Sequence, residues 1–294
     1  MTKQPAISVI FTTYNQPEWL HKVLIGFCYQ TFTDFEVLVA DDGSREETRA
    51  VVDLMKARAP YSIQHIWHPD EGYQKCQILN KAIRASRAEY LVFTDGDCIP
   101  RADFLQAHWE HKAPNRFLSG GLTRLPLGIS KAITEEDIAT GRCFNVSYLN
   151  QLVAGERVPS AKKLIQNKLL THLLNTFTTA RASWNGSNAS TYKAHILAVN
   201  GMDERMQYGG QDRELGERLT NLGIKGKQVR YKAILLHLDH KRGYMTDEGW
   251  ALNNGIRQET RRQHSTWTEY GLEQQKEPIE ALVTASRHLS NSNK

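Results

Sequence analysis

Three short apolar runs, each breaking off into polar or acidic residues, constrain this chain more than any other feature. Residues 7–12 (ISVIFT) end in Thr12, Thr13, Tyr14 and Asn15; residues 35–40 (FEVLVA) end in Asp41, Asp42, Gly43 and Ser44. Residues 90–94 (YLVFT) end in Asp95, Gly96 and Asp97. Apolar runs without polar alternation read as strands covered on both faces. Residues 62–67 make a further strand. Helical spacing fills the gaps: Trp19, Val23 and Phe27 behind Pro17, then Val51, Val52 and Met55, then Ile78, Leu79, Ala82 and Ile83. Strands alternating with helices predict an α/β chain with a Rossmann-like, mostly parallel central sheet. Ligands of such sheets bind beyond the carboxyl ends of the strands, where these acidic groups collect.

Beyond Gly120 the alternation stops. Residues 120–160 hold five glycines (Gly120, Gly121, Gly128, Gly141, Gly155) with Pro126 and Pro159, and read as a lid or binding segment. Within it, Thr134-Glu135-Glu136-Asp137 predicts a capped short helix. Further helices are expected over residues 164–177 and after Gly209-Gly210, the second burying Leu215, Leu219 and Leu222 and closing at Gly223. A last strand over 229–236 runs to His237 and His240. Ser44 is expected to cap the helix that follows the second run.

The chain has 294 residues, 40% hydrophobic and 23% charged, a balance that excludes a disordered chain. A net charge of +5 suits phosphate-bearing ligands or an anionic membrane surface and is too small to argue for nucleic acid. The apolar runs are too short to span a bilayer and none follows Lys3 as a secretory signal would, so a cytoplasmic protein is expected, with peripheral contact at the inner membrane face as an option. Cys28, Cys76, Cys98 and Cys143 lack metal-type spacing and read as reduced thiols, mostly in the core. Neither G-x-G-x-x-G nor G-x-x-x-x-G-K-[ST] follows the first run, which argues against dinucleotide and P-loop sites.

With 13 aspartates, about half of one Asp-x-Asp pair arises by chance, so Asp95-x-Asp97 draws its weight from its position at a strand end. Two carboxylates there repel unless a cation lies between them, and Mn²⁺ or Mg²⁺ bridging a diphosphate meets that need. A carboxylate beside Gly43 can accept from the imide N–H of uracil. His108 and His111, at i and i+3, favour packing over metal binding. Arg257, Arg261 and Arg262 read as a solvated face or a contact for anionic lipid.

Four segments taken together, ISVIFTTYN at residues 7–15, QTFTDFEVLVADDGS at 30–44, EGYQKCQILNKAI at 71–83 and YLVFTDGDCIP at 90–100, resemble the family 2 glycosyltransferases of GT-A fold. VNGMDERMQYGGQDRELGERL at 199–219 looks like the C-terminal segment of the galactosyltransferase and polypeptide N-acetylgalactosaminyltransferase group. The resemblance implies an inverting, metal-dependent transferase that takes a sugar from a UDP-sugar to a saccharide or lipid-linked saccharide in surface polysaccharide synthesis. It implies a GT-A domain over 1–245, with a nucleotide-binding half at 5–118 and a helical and loop acceptor half at 119–245, then a C-terminal extension over 246–294. Thr12 and Asp42 would meet uracil with Asp41 in support, and Tyr14, Lys75, Asn80, Asp95 and Gly96 would line the donor. Asp97 and one of His237 and His240 would hold the metal. Asp212 would be the base, kept ionised and weakly basic by its helix dipole. Tyr208, Gly210, Gln211 and Asn188 would face the acceptor; Trp184 either stacks on a sugar or belongs to the core. Gln211 stands where the family commonly has Glu, and Leu79 where it often has Arg. A nucleotidyltransferase would carry a Gly-rich basic loop after the first run, and this chain does not. A catalytically impaired binding subunit would fit Gln211 but not the retained acids.

Overall fold

β1 (Ile7–Thr13) is the axis of the molecule in the computed structural model, which describes residues 3–159, 161–165, 167–240 and 246–273. On one side β2 (Phe35–Asp41) and β3 (Ser62–Trp67) follow in parallel; on the other lies β4 (Tyr90–Asp95), also parallel. Beyond β4 the sheet continues through β8 (Asn188–Tyr192), β6 (Arg116–Ser119) and β9 (Lys225–Gln228), with β8 antiparallel to both its neighbours. Ile7, Val9 and Phe11 point into one core with α1 (Pro17–Cys28), α2 (Glu46–Arg58) and α4 (Phe104–His111), while Ile10 points into the other with α3 (Lys75–Ala85). Burial on both faces is why the strands carry no polar alternation.

Strand order reverses between β1 and β4, and there Thr12 registers with Asp95 while Thr13 registers with Asp41 of β2. A crevice opens at such a switch point. A second, three-stranded sheet flanks it, with β10 (Ile234–His237) between β5 (Cys98–Pro100) and β7 (Gly121–Arg124). Its register sets His237 opposite Cys98, and the Leu238 amide donates to the Asp97 carbonyl at 2.9 Å.

Residues 120–159 are not an open loop. After β7 they form α5 (Leu127–Ala132), α6 (Glu135–Ala139), a 3₁₀ turn at Arg142–Phe144 and α7 (Val146–Leu152). Ile129, Ile133, Cys143 and Leu149 are buried in the α1-side core, so lifting this segment would expose the core itself. The capping box at Thr134 is present, with Asp137 N–H donating to Thr134 Oγ1 at 3.2 Å and Thr134 N–H to Asp137 Oδ2 at 2.9 Å. Ser44 is not a cap: α2 has no side-chain cap, and the Ser44 hydroxyl accepts from the Asn15 amide at 2.8 Å.

The expected strand over 229–236 is only β10; residues 229–233 turn, with Ala233 N–H donating to Val229 O. The helix expected over 164–177 is α8 (Lys168–Thr176), preceded by a 3₁₀ turn at Ala161–Leu164. α9 (Lys193–Ala198), α10 (Gln211–Asn221) and α11 (Asp247–Arg262) cover the α3 side, and Ile256 of α11 joins the core of Leu215 and Leu219. Gly223, at φ +92°, closes α10 as expected. Of the C-terminal extension expected over 246–294, residues 274–294 lie outside the described residues. No described helix is long and apolar enough to cross a membrane.

Candidate active site

A cleft of about 940 Å³ opens beyond the carboxyl ends of β1 and β4 and reaches from Asp42 to the start of α10. At one end, Asp42 accepts from His68 Nε2 at 2.7 Å and from the Gln74 amide at 3.0 Å. His68 Nδ1 receives the Lys81 ammonium at 3.0 Å, which leaves the ring proton on Nε2, facing Asp42. Burial raises the Asp42 carboxyl above its ordinary range, against the pull of these donors. Asp41 lies behind it, accepting from the Ser44 amide and His65 Nε2, both at 2.8 Å, and holds the turn without lining the cleft. Tyr14 donates to Asp70 at 2.8 Å at the mouth.

At the switch point, Asp95 Oδ1 accepts from Thr12 Oγ1 at 3.1 Å and from Lys75 Nζ at 2.8 Å. Burial alone would lower the Lys75 ammonium, but Asp95 and Asp212 beside it raise it well above the lysine range. The Gly96 amide donates to the Thr12 carbonyl at 2.8 Å.

Asp97 meets both late histidines. Its Oδ2 lies 2.8 Å from His240 Nε2 and 3.5 Å from His237 Nε2, and the two rings stack at 5.7 Å. Cys98 Sγ donates to the other oxygen at 3.1 Å. Burial would raise this carboxyl, yet the histidines pull it down to about 2. One carboxylate and two imidazoles with ligating atoms within 4.8 Å of one another make an oxygen and nitrogen donor set that fits a divalent ion such as Mn²⁺.

Across the cleft, Gly209 and Gly210 adopt φ of +105° and +90° and launch α10, which carries Asp212 in its first turn. Asp212 accepts from the Gly186 amide, and a Cβ at Gly186 would sit 2.3 Å from Asp212 Oδ1. Burial raises the Asp212 carboxyl, partly offset by Lys75 and assisted by Asp95. With its carboxyl raised, the Asp212 carboxylate is a stronger base than the weakly basic one expected from the helix start. Gln211 is committed within the turn, accepting from Gly209 N–H at 2.8 Å and donating to Tyr73 Oη at 3.0 Å. Tyr208 packs edge-on against Tyr73.

Besides Asp41, three expected site residues lie outside the cleft. Trp184 is 2% exposed between Phe93 and Phe117, with no face for a sugar. Asn188 is fully buried, donating to the Gly121 and Ala233 carbonyls at 2.8 and 3.1 Å and meeting His108 Nε2 at 3.1 Å; it ties β8 to the second sheet. Asn80 clips α3 to Met202 and Glu204. Conversely, Arg124, Asn185, Ser187, Tyr73 and Trp250 line the cleft. Of these, only Tyr73 lay inside a recognisable segment. Arg257 also lines it, bonded to Glu217 at 2.7 Å, whereas Arg261 and Arg262 are exposed.

The model of glycosyl transferase family 2 matches residues 8–121, the stretch holding β1 to β4 and both acidic strand ends. The chain carries a family 2 glycosyltransferase domain. Chondroitin synthase of Escherichia coli is 28% identical over 234 residues, 76% of this chain and 33% of that protein. Validoxylamine A glucosyltransferase of Streptomyces hygroscopicus subsp. jinggangensis is 33% identical over 233 residues, 75% of this chain and 52% of that protein. This chain thus spans between a third and about half of the length of these two relatives. A mannosyltransferase from Pyrobaculum calidifontis, solved with GDP-Man and Mn²⁺, superposes with a TM-score of 0.55 at 19% identity, over 86% of this chain and 61% of that one. S. aureus TarS with UDP-GlcNAc gives 0.54 at 15% identity, over 85% and 65%. The fold is GT-A.

Proposed function

We propose that this chain transfers a sugar from a UDP-sugar to a hydroxyl of a saccharide or lipid-linked saccharide, with inversion at the anomeric carbon, in surface polysaccharide synthesis. The observation that carries the reading is that Asp97, His237 and His240 on one wall and Asp212 on the other line a single cleft at the sheet's switch point. Family membership and neighbours solved with nucleotide sugars support it.

Uracil belongs at the Asp42 end, where the carboxylate, oriented by His68, accepts the imide N–H and Thr12 lines the approach. Lys75 neutralises Asp95, so the donor's ribose meets a paired carboxylate. Mn²⁺ or Mg²⁺ held by Asp97, His237 and His240 would supply positive charge for the departing diphosphate. Asp212 takes the proton of the attacking hydroxyl as the bond to the anomeric carbon forms and the bond to the diphosphate breaks on the opposite side. Tyr208, Gly210 and Gln211 then bound the acceptor approach. The setting is proposed to be cytoplasmic.

Incubating the chain with a panel of UDP-sugars, saccharide acceptors and Mn²⁺, then reading UDP release and the anomeric configuration of the product, tests the reading. Transfer with inversion is expected. A retained configuration, or no metal-dependent transfer from any UDP-sugar, would overturn it.

A further inference from the structure

α8 is attached the wrong way round for a helix of a water-facing surface. Asn175 faces the body, donating to the Gln228 carbonyl at 3.0 Å and accepting from the Tyr231 amide at 3.2 Å, and Thr171 beside it is buried. The opposite stripe is apolar and open: Leu169 is 70% exposed, Leu173 44%, Phe177 76% and Leu170 42%. Residues 169, 173 and 177 recur every four positions, so they form one ridge. With the polar side bonded to the strand-β9 edge, the helix cannot roll its leucines inward without losing both Asn175 bonds.

The surroundings are basic. The chain on either side of the helix, residues 157–181, contains no acidic residue and holds Arg157, Lys162, Lys163, Lys168 and Arg181, of which Lys163 is turned inward to the Leu122 carbonyl. Between α8 and β9 runs a groove of about 480 Å³ lined by His111, His172, Lys227 and Lys232, with no acidic residue among its described lining. Two buried atoms in the groove residues, His111 Nδ1 and Gln228 Oε1, have no hydrogen-bond partner. Burial, with Lys232 and Lys227 beside it, holds the His111 imidazole below its usual range.

We propose that this face docks on an anionic phospholipid bilayer, with the α8 ridge in the headgroup boundary and a lipid phosphate in the adjoining groove. An exposed apolar ridge flanked by cations is the pattern that binds such interfaces, since apolar burial and attraction to anionic lipid add. An anionic bilayer offers the apolar boundary that the ridge fits and the phosphates that the groove beside it fits.

Sedimentation of the full chain with vesicles of phosphatidylcholine alone, or of phosphatidylcholine with phosphatidylglycerol, tests the proposal. It uses neither nucleotide nor metal, so its outcome is independent of the catalytic reading. The phosphatidylglycerol vesicles should bind at least about tenfold more tightly, and less so in high salt. Leu169→Ser with Phe177→Ser, both at exposed positions, should cut binding by about tenfold or more with an unchanged melting temperature. Lys227→Ala with Lys232→Ala should do the same by the electrostatic route and decides the matter if the first variant melts early. Failure to bind phosphatidylglycerol vesicles, or unchanged binding by the lysine variant, would overturn the proposal. So would a dimer in solution that the Leu169→Ser and Phe177→Ser pair dissolves, which would assign the ridge to a second copy.

Discussion

Asp212 is the residue whose behaviour follows most directly from where it sits. Its carboxyl is raised by burial, so the native state holds the proton more tightly than the unfolded chain does. That contribution to stability is complete below the ordinary Asp pKa and is lost as pH rises through the raised one. Activity runs the other way, because only the deprotonated carboxylate accepts a proton. Asp212→Asn should therefore leave UDP affinity intact and lower turnover by at least about 10², read by steady-state kinetics. Lys75→Met removes the cation that holds this carboxyl down, and the acid limb of kcat should move to higher pH; an unmoved limb would remove Asp212 as the base. Single residues at strand ends were legible because the strands announce themselves. Asn80 and Asn188 were misread because their partners lie far off in sequence, as with Asn80 and Met202, and of the two readings open for Trp184 the core is the one that holds. Asn188→Ala should cost about 2–4 kcal/mol by denaturant unfolding, since it removes buried hydrogen bonds to the Gly121 and Ala233 carbonyls and to His108, and should spare KM for acceptor.

Strands and helices deliver these groups by register. β10 lies beside β5, and that pairing alone brings His237 and then His240 to Asp97 across well over a hundred residues of chain. The first four strands were readable from apolar runs. β8 was not, because its Ser190 and Thr191 are polar yet buried, satisfied by partners such as His108 that no local pattern reveals. β9 reads KGKQ and hides its strand nature behind lysines at a sheet edge. The loop before β8 sets Asp212 through Gly186. Gly186→Ala would drive a methyl into the carboxylate, and turnover should fall by about 10² with little change in melting temperature. A drop in stability matching the drop in turnover would instead mark Gly186 as structural.

For the whole molecule, two cores on opposite faces of one sheet fix a crevice between β1 and β4, and the segment after Gly120 is part of that frame. Limited proteolysis over residues 120–159 should accordingly be the same with and without UDP and Mn²⁺. Faster or slower cleavage with ligand would restore a moving segment there. The glycines and prolines of that stretch imitate a loop, while the buried Ile129, Ile133 and Leu149 that anchor it lie in or next to helices of six and seven residues, too short to show a sustained period. Everything proposed about catalysis rests on one cleft holding nucleotide and metal together. Calorimetric titration of UDP into the full chain, with Mn²⁺ and with EDTA, for the native sequence and for Asp97→Ala, measures that directly. Binding that requires both Mn²⁺ and Asp97 is the predicted result; UDP affinity unchanged by EDTA and by Asp97→Ala would contradict it.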